Sequence, residues 1–220
     1  MQEMVKAIFM IISGLCWSIV YIELIRGRFK DKTYAMPLFA LGLNFAWETL
    51  YSVDQLFLGS EPLQGVVNLI WAMLDAVIII TYFKYGREYF PKKGQKYFIP
   101  FSILAFVSCF IMQFAFYFQF DKVPASQYSA FAQNAAMSIM FLAMLFNRGN
   151  TRGQSKLMAI AKCIGTLAPT ILGGVIESFN IYILLMGSIC FIFDALYIIA
   201  LYDMEKEEVT LKSTLDYLKF

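Results

Sequence analysis

Seven separate runs of hydrophobic residues take up most of this 220-residue chain. Each approaches the roughly 20 residues an α-helix needs to cross a bilayer. They cover 4–25, 34–53, 64–83, 97–119, 125–146, 157–176 and 181–202, separated by polar, Pro- or Gly-bearing connections. In hydrocarbon every backbone N–H and C=O must be satisfied within its own segment, so runs of this length predict helices. The expected fold is all-α: one multi-pass integral-membrane domain over residues 1–220, a seven-transmembrane-helix bundle. Its tail, 203–220, is expected to be a short amphipathic helix or a disordered end. Pro37, Pro100 and Pro124 fall near segment starts, where a missing N–H does no harm. Pro169 lies inside the sixth run, beside Gly165, Gly173 and Gly174, and predicts a kink there. The first run follows only Lys6 and exceeds a signal-peptide core, so it is expected to be retained as a helix.

Basic residues set the orientation. Arg26, Arg28, Lys30 and Lys32 lie in the first connection; Lys84, Arg87, Lys92, Lys93 and Lys96 in the third; Arg148, Arg152 and Lys156 in the fifth; Lys206, Lys212 and Lys219 in the tail. Fifteen of the eighteen Lys and Arg therefore fall on one side. Lys6 and Lys122 fall on the other, and Lys162 reads as lying just inside the sixth helix. The positive-inside rule then gives N-terminus out, C-terminus in, and an odd number of spans.

Composition narrows the chemistry. The net charge of +2 gives no reason to expect nucleic acid, and the absence of His removes the commonest general acid/base and metal ligand. Cys16, Cys109, Cys163 and Cys190 form no CxxC pair and read as small apolar residues. Aromatics make up 17% of the chain, with 22 Phe and 13 Tyr spread through the segments and not confined to their ends. That distribution fits both interfacial belts and an aromatic-lined pocket.

Ionisable groups inside these runs are the place to look for function, because each costs roughly 2.5 to 3.5 kcal/mol at the centre of an inserted helix. Asn44, Glu48 and Tyr51 are spaced i, i+4, i+7 and share one helical face; Asn68, Trp71 and Asp75 do the same in the third run. Asp194 and Tyr197 share a face in the seventh. A pocket opening on the outer side and floored by Asp75 and Asp194 is the simplest arrangement. Gln113, Gln133 and Asn134 read first as interhelical hydrogen-bonding groups, each contributing about 0.6 kcal/mol. Glu23 and Glu177 lie near helix ends within reach of water. No cation is read at the depth of Glu48, Asp75 or Asp194, so ion pairing is not expected. At least one of the three is expected to keep its proton at neutral pH, through desolvation and mutual repulsion. A carboxylic acid held neutral in an apolar site is a proton donor.

Several chemistries are excluded by motif. There is no DDxxD-like run for magnesium and diphosphate, no HExxH, GxSxG or Walker sequence, and no Lys midway along the last run for a retinal Schiff base. Acid chemistry on an apolar substrate, or proton-coupled movement of a solute, remains.

The elements Asn44-Phe45-Ala46-Trp47-Glu48, Trp71-Ala72-Met73-Leu74-Asp75 and Phe193-Asp194-Ala195-Leu196-Tyr197, set on seven short spans, resemble the integral-membrane terpene cyclases of fungal meroterpenoid and indole-diterpene pathways and their bacterial relatives. The resemblance covers nearly the whole chain in topology, and Asn-x-x-Trp-Glu is its most specific part. It implies protonation of a terminal epoxide or alkene on a prenyl chain borne by an aromatic or indole group, a cation–olefin cascade, and a final proton loss. The family's second-helix and last-helix acids fall on Glu48, as general acid, and Asp194; its third-helix acid falls on Asp75. Substrate contacts are expected from Asn44, Trp47, Tyr51, Asn68, Trp71, Asn134 and Tyr197, with the aromatic faces stabilising carbocations. The implied partners are a prenylated hydrophobic small molecule and membrane lipid, with no metal or organic cofactor and a monomer sufficing.

Two other classes fit the same composition. A proton-coupled carrier of an amphiphile would also bury acids, although no duplicated half-sequence of the kind common in carriers is present. A lipid- or sterol-binding bundle would use an aromatic pocket without an acid.

Overall fold

A computed structural model describes residues 2–59 and 61–217. Seven helices follow in order: α1 Gln2–Asp31, α2 Leu38–Val53, α3 Pro62–Tyr85, α4 Phe98–Gln119, α5 Lys122–Arg148, α6 Lys156–Ile171 and α7 Ile181–Tyr217. No strand occurs among the described residues. Six of the helices, all but α2, are long and apolar enough to cross a membrane. α2 has 16 residues, about 24 Å at 1.5 Å per residue, and a π-type turn, Asp54–Leu58, continues its path. α2 packs against α3, α4 and α5, and its buried residues run around much of the helix.

The helix order closes on itself. α1 packs on α6 and α3, α6 on α7, α7 on α5, and α5 on α4 and α2. Small residues set the close approaches. A Cβ on Gly42 of α2 would stand 2.8 Å from the Cys109 sulfur of α4. A Cβ on Gly165 of α6 would meet Cys16 and Trp17 of α1 at 3.1–3.2 Å. Membrane helices, with little hydrophobic driving force between them, depend on such backbone proximity for van der Waals contact. Outward from these seams the apolar side chains are exposed, as along α4 at Leu104, Val107, Ile111 and Phe118, which is the pattern of a lipid-facing surface.

Pro37 immediately precedes α2, and Pro100 and Pro124 sit in the first turns of α4 and α5. Pro169 lies within α6, which passes into a second π-type turn, Leu172–Ile176, within one turn of it. The missing Pro N–H and the ring's clash with the preceding carbonyl loosen the α ladder there.

The charged connections meet at two opposite ends. At the basic end Arg152 donates to the Asp31 carbonyl at 2.7 Å, Thr151 donates to Glu208, and Lys156 pairs with Glu205 at 2.9 Å. Arg148 stacks over Tyr34 and Tyr89, 4.1 and 4.8 Å from the ring centroids. The first, third and fifth connections and the tail therefore share one end, as alternating passes require. Lys6–Glu177 (3.4 Å) and Lys122–Asp54 (3.0 Å) mark the other. The tail is no separate element: α7 runs through it to Tyr217. Lys219 and Phe220 lie outside the described residues, as do the side chains of Arg28, Lys30 and Lys212.

Candidate active site

The i, i+4 spacing of Asn44 and Glu48 turns both side chains toward the space between α1, α2 and α3, where Glu48 is 3% exposed. Tyr21 of α1 donates a hydrogen bond to Glu48 Oε1. The Asn44 amide nitrogen lies 3.0 Å from the same oxygen, 3.0 Å from Asp75 Oδ2 and 2.5 Å from the Tyr21 hydroxyl. The second Glu48 oxygen accepts no hydrogen bond among the described residues. Asp75, fully buried, stands close enough to interact directly with the Glu48 carboxyl. On the far side of Asn44, its carbonyl accepts from Gln133 of α5 at 3.3 Å, and Gln133 accepts in turn from Gln113 of α4 at 2.7 Å. Side chains of three helices thus meet at the carboxyl pair, and two more helices join them through Asn44. Gln113 and Gln133 do bridge helices, as expected, but through the network that holds Asn44.

Aromatic groups border this cluster on two sides. Trp71 stacks on Tyr21 with centroids 6.1 Å apart. Trp47 and Tyr51 lie 4.9 Å apart, and Tyr117 follows Tyr51 at 6.1 Å. The Trp47 indole donates to the Ser126 carbonyl, which fixes α2 against α5.

Asp194 belongs to a different cluster, and here an expectation is overturned. Lys162 of α6 places its ammonium 2.7 Å from Asp194 Oδ1, 3.0 Å from Oδ2 and 2.6 Å from the Ser138 hydroxyl of α5. The pair is 0% and 1% exposed. The sequence reading placed Lys162 near a helix end and expected no ion pair. In fact α6 begins at Lys156, so Lys162 is about 9 Å along its axis, and the lysine stem carries the charge further. Asp75 and Asp194 accordingly do not form one floor: Asp75 joins α2 and α1, Asp194 joins α6 and α5. α5 links the clusters, since Gln133 reaches Asn44 and Ser138, five residues on, reaches Lys162.

The remaining expected contacts are scattered. Asn68, fully buried, donates to Gln55 at 2.8 Å and accepts from Gln64, tying α3 to the turn after α2. Tyr197 donates to Gln154 at the basic end and lies 5.9 Å from Phe141. Asn134 keeps a buried carbonyl without a hydrogen bond among the described residues. A cavity of about 440 Å³ also opens at the basic end, lined by Tyr34, Leu38, Tyr89, Met140, Met144 and Arg148. Arg148 there donates to the Tyr34 and Arg152 carbonyls, which makes it a brace between α5 and the first connection. The four cysteines are free thiols. Glu23 accepts from Ser155, and Glu177 pairs with Lys6, so both serve the helix ends.

Sequence reasoning missed Tyr21 and Lys162. Tyr21 carried a weak signal, a hydroxyl-bearing ring four residues after Trp17 in a lipid-facing run. Lys162 carried a stronger one, a lysine five residues past the start of the predicted sixth run at 157.

Helices of membrane-spanning length packed around a buried, hydrogen-bonded carboxyl pair make this a multi-pass membrane protein with acids inside the bundle. The chain belongs to the Pyr4-like transmembrane terpene cyclases, whose family model matches residues 1–207. Among curated relatives it is similar to the Pyr4-family terpene cyclase mfmH of Annulohypoxylon moriforme, 32% identical over 162 residues, 71% of this chain and 65% of the relative. It is similar also to the terpene cyclase macJ of Penicillium terrestre, 30% identical over 166 residues, 73% of this chain and 63% of the relative. The terpene cyclase pyr4 of Aspergillus fumigatus is 25% identical over 209 residues, 89% of this chain and 85% of the relative. The matches to mfmH and macJ thus span just under two thirds of those relatives' lengths. No solved structure matches the chain.

Proposed function

We propose that this chain cyclises a prenyl chain, farnesyl or epoxyfarnesyl, on an aromatic or indole scaffold, and that Glu48 starts the reaction as general acid. The observation that carries this reading is the buried carboxyl pair: Tyr21 and Asn44 hold one Glu48 oxygen, Asn44 also holds Asp75, and among the described residues no donor side chain takes the second Glu48 oxygen. Two carboxyls at the range of Glu48 and Asp75 share a proton in place of two charges. That proton is the one delivered.

Protonation of the terminal epoxide oxygen, or of the terminal alkene carbon, leaves a carbocation that the next double bond attacks. Each C–C bond formed moves the charge along the chain until a neighbouring C–H gives up its proton. One proton enters and one leaves, so the product is an isomer of the substrate. Trp47, Tyr51 and Trp71 offer π-faces to the passing charge. Asn44 and Asn134 are polar contacts for the substrate, whereas the hydrogen bonds of Asn68 and Tyr197 serve the bundle. Holding the polyene folded supplies the orientational part of the acceleration, and excluding water prevents early capture of the cation. The positive-inside rule places the basic end in the cytoplasm.

Membrane fractions bearing the wild type or Glu48→Gln, incubated with farnesylated indoles and phenols with and without the terminal epoxide, test this. A cyclic isomer of unchanged mass, formed by the wild type and reduced at least about 100-fold in the variant, is the expected result. Equal product from both rules out Glu48 as the acid, and no isomer from any substrate turns the reading toward a proton-coupled carrier.

A further inference from the structure

The buried Lys162–Asp194 pair has no evident reason to exist for stability. Taking two charges out of water is expensive, and apolar residues of similar volume commonly do as well or better. The surroundings are also undivided in their chemistry. The titratable groups facing the pair are the thiols of Cys163 and Cys190 and the phenol of Tyr197. Among the described residues no second cation is paired with Asp194.

Geometry fixes the state of the pair. A lysine ammonium has three N–H donors and no acceptor. All three are taken up, two by the oxygens of Asp194 and one by Ser138. A carboxyl whose two oxygens both face one ammonium is an acceptor at both, which is the carboxylate form. Asp194 is therefore built as an anion, while Glu48 has a tyrosine and an amide on one oxygen and a second carboxyl, Asp75, beside it. The two acids stand in separate clusters linked through α5 and in unlike environments, and unlike environments assign carboxyls unlike roles.

We propose that Lys162 is a positioning residue of the cyclase reaction: it holds Asp194 as a fixed carboxylate, and Asp194 takes the final proton that Glu48's donation sets in motion. This rests on the reading of the chain as a proton-initiated cyclase and adds the half of the cycle that reading leaves open. The last C–H bond beside the cation breaks, its electron pair becomes the product alkene, and its proton goes to an Asp194 oxygen. Asp194 becomes neutral, and Lys162 keeps its bond to Ser138. Water admitted as product leaves takes that proton and returns one to Glu48. Before that step the same carboxylate attracts the migrating charge toward the α5–α7 side. The Ser138 hydroxyl fixes the ammonium and so fixes where the carboxylate points.

The test compares the wild type, Lys162→Met, Lys162→Arg, Asp194→Asn and the neutral double variant Lys162→Met/Asp194→Leu, each purified in detergent and shown monodisperse. Turnover and product pattern are read by mass spectrometry and NMR, and the carboxylic-acid C=O band is read by infrared spectroscopy. Lys162→Met is expected to lose about 100-fold in turnover and to release prematurely terminated or water-captured products, and Lys162→Arg to restore the native product. Asp194→Asn should leave the infrared acid band unchanged, whereas Glu48→Gln should remove intensity from it. The double variant should fold and stay inactive. A double variant that cyclises like the wild type overturns the proposal and leaves the pair structural. An acid band lost in Asp194→Asn overturns the carboxylate assignment. A wild type that makes no cyclic isomer overturns the cyclase reading itself, a result distinct from both.

Discussion

Lys162→Met removes one partner of an ion pair that is fully enclosed by α5, α6 and α7, and its effect on folding can be worked from the geometry. Both Asp194 oxygens lose their donor, and Ser138 loses a charged one. Breaking a buried pair from one side is destabilising by about 3–5 kcal/mol, because a charge is left without compensation. For a chain of this size each kcal/mol moves the melting midpoint by about 2–4 °C. The expected fall is therefore about 6–20 °C, toward the lower end if Asp194 takes up a proton to escape its charge. Lys162→Met/Asp194→Leu removes both charges and should return to within a few degrees of the wild type. Intrinsic fluorescence from Trp17, Trp47 and Trp71 during heating in detergent reads the midpoint. A single variant that melts with the wild type, or a double variant no better than the single one, refutes the claim that the charges are desolvated and coupled.

Tyr21→Phe deletes the hydroxyl that donates to Glu48 Oε1 and accepts from Asn44. It should lower kcat about tenfold or more, a charge-assisted hydrogen bond being worth roughly 1.5–3 kcal/mol, with the product unchanged; wild-type kcat removes Tyr21 from the acid's support. Gly42→Ala puts a methyl 2.8 Å from the Cys109 sulfur, whereas Gly14→Ala meets nothing within 4 Å. The first should destabilise by about 1–3 kcal/mol through overpacking and the second should not, read by the same melting assay; equal midpoints would mean the α2–α4 seam yields at little cost.

The seven helices, six of them long and apolar enough to cross a membrane, and the sharing of one end by the basic connections were legible in the sequence because both are one-dimensional signals. Length and hydropathy decide whether a segment enters lipid, and charge counts decide which connections lie together. The face holding Asn44 and Glu48 was legible for a similar reason, since helical periodicity relates residues four apart on one chain segment. Asp75 was grouped with Asp194 as one floor, and the structure sets it beside Glu48 and Asn44 instead, because the faces that α3 and α7 turn inward are set by packing and not by depth alone.

What lies across helices was not legible. Tyr21 and Glu48 are 27 residues apart, Lys162 and Asp194 are 32, and no periodicity carries information over such a gap. Their pairing follows from which helix faces α1 and α6 turn toward their neighbours, and that depends on packing at small residues such as Gly42 and Gly165. The start of α6 was placed to within one residue, yet the pairing was missed, because counting residues along each axis leaves out the reach of the lysine stem and the face each helix turns to its neighbour. The sequence by itself determined a helical membrane protein with acids inside it. The tertiary structure alone decided that these acids form two unlike sites, one carboxyl held by hydroxyl and amide, the other by an ammonium, because in a low-dielectric interior the nearest partner sets what a carboxyl can do.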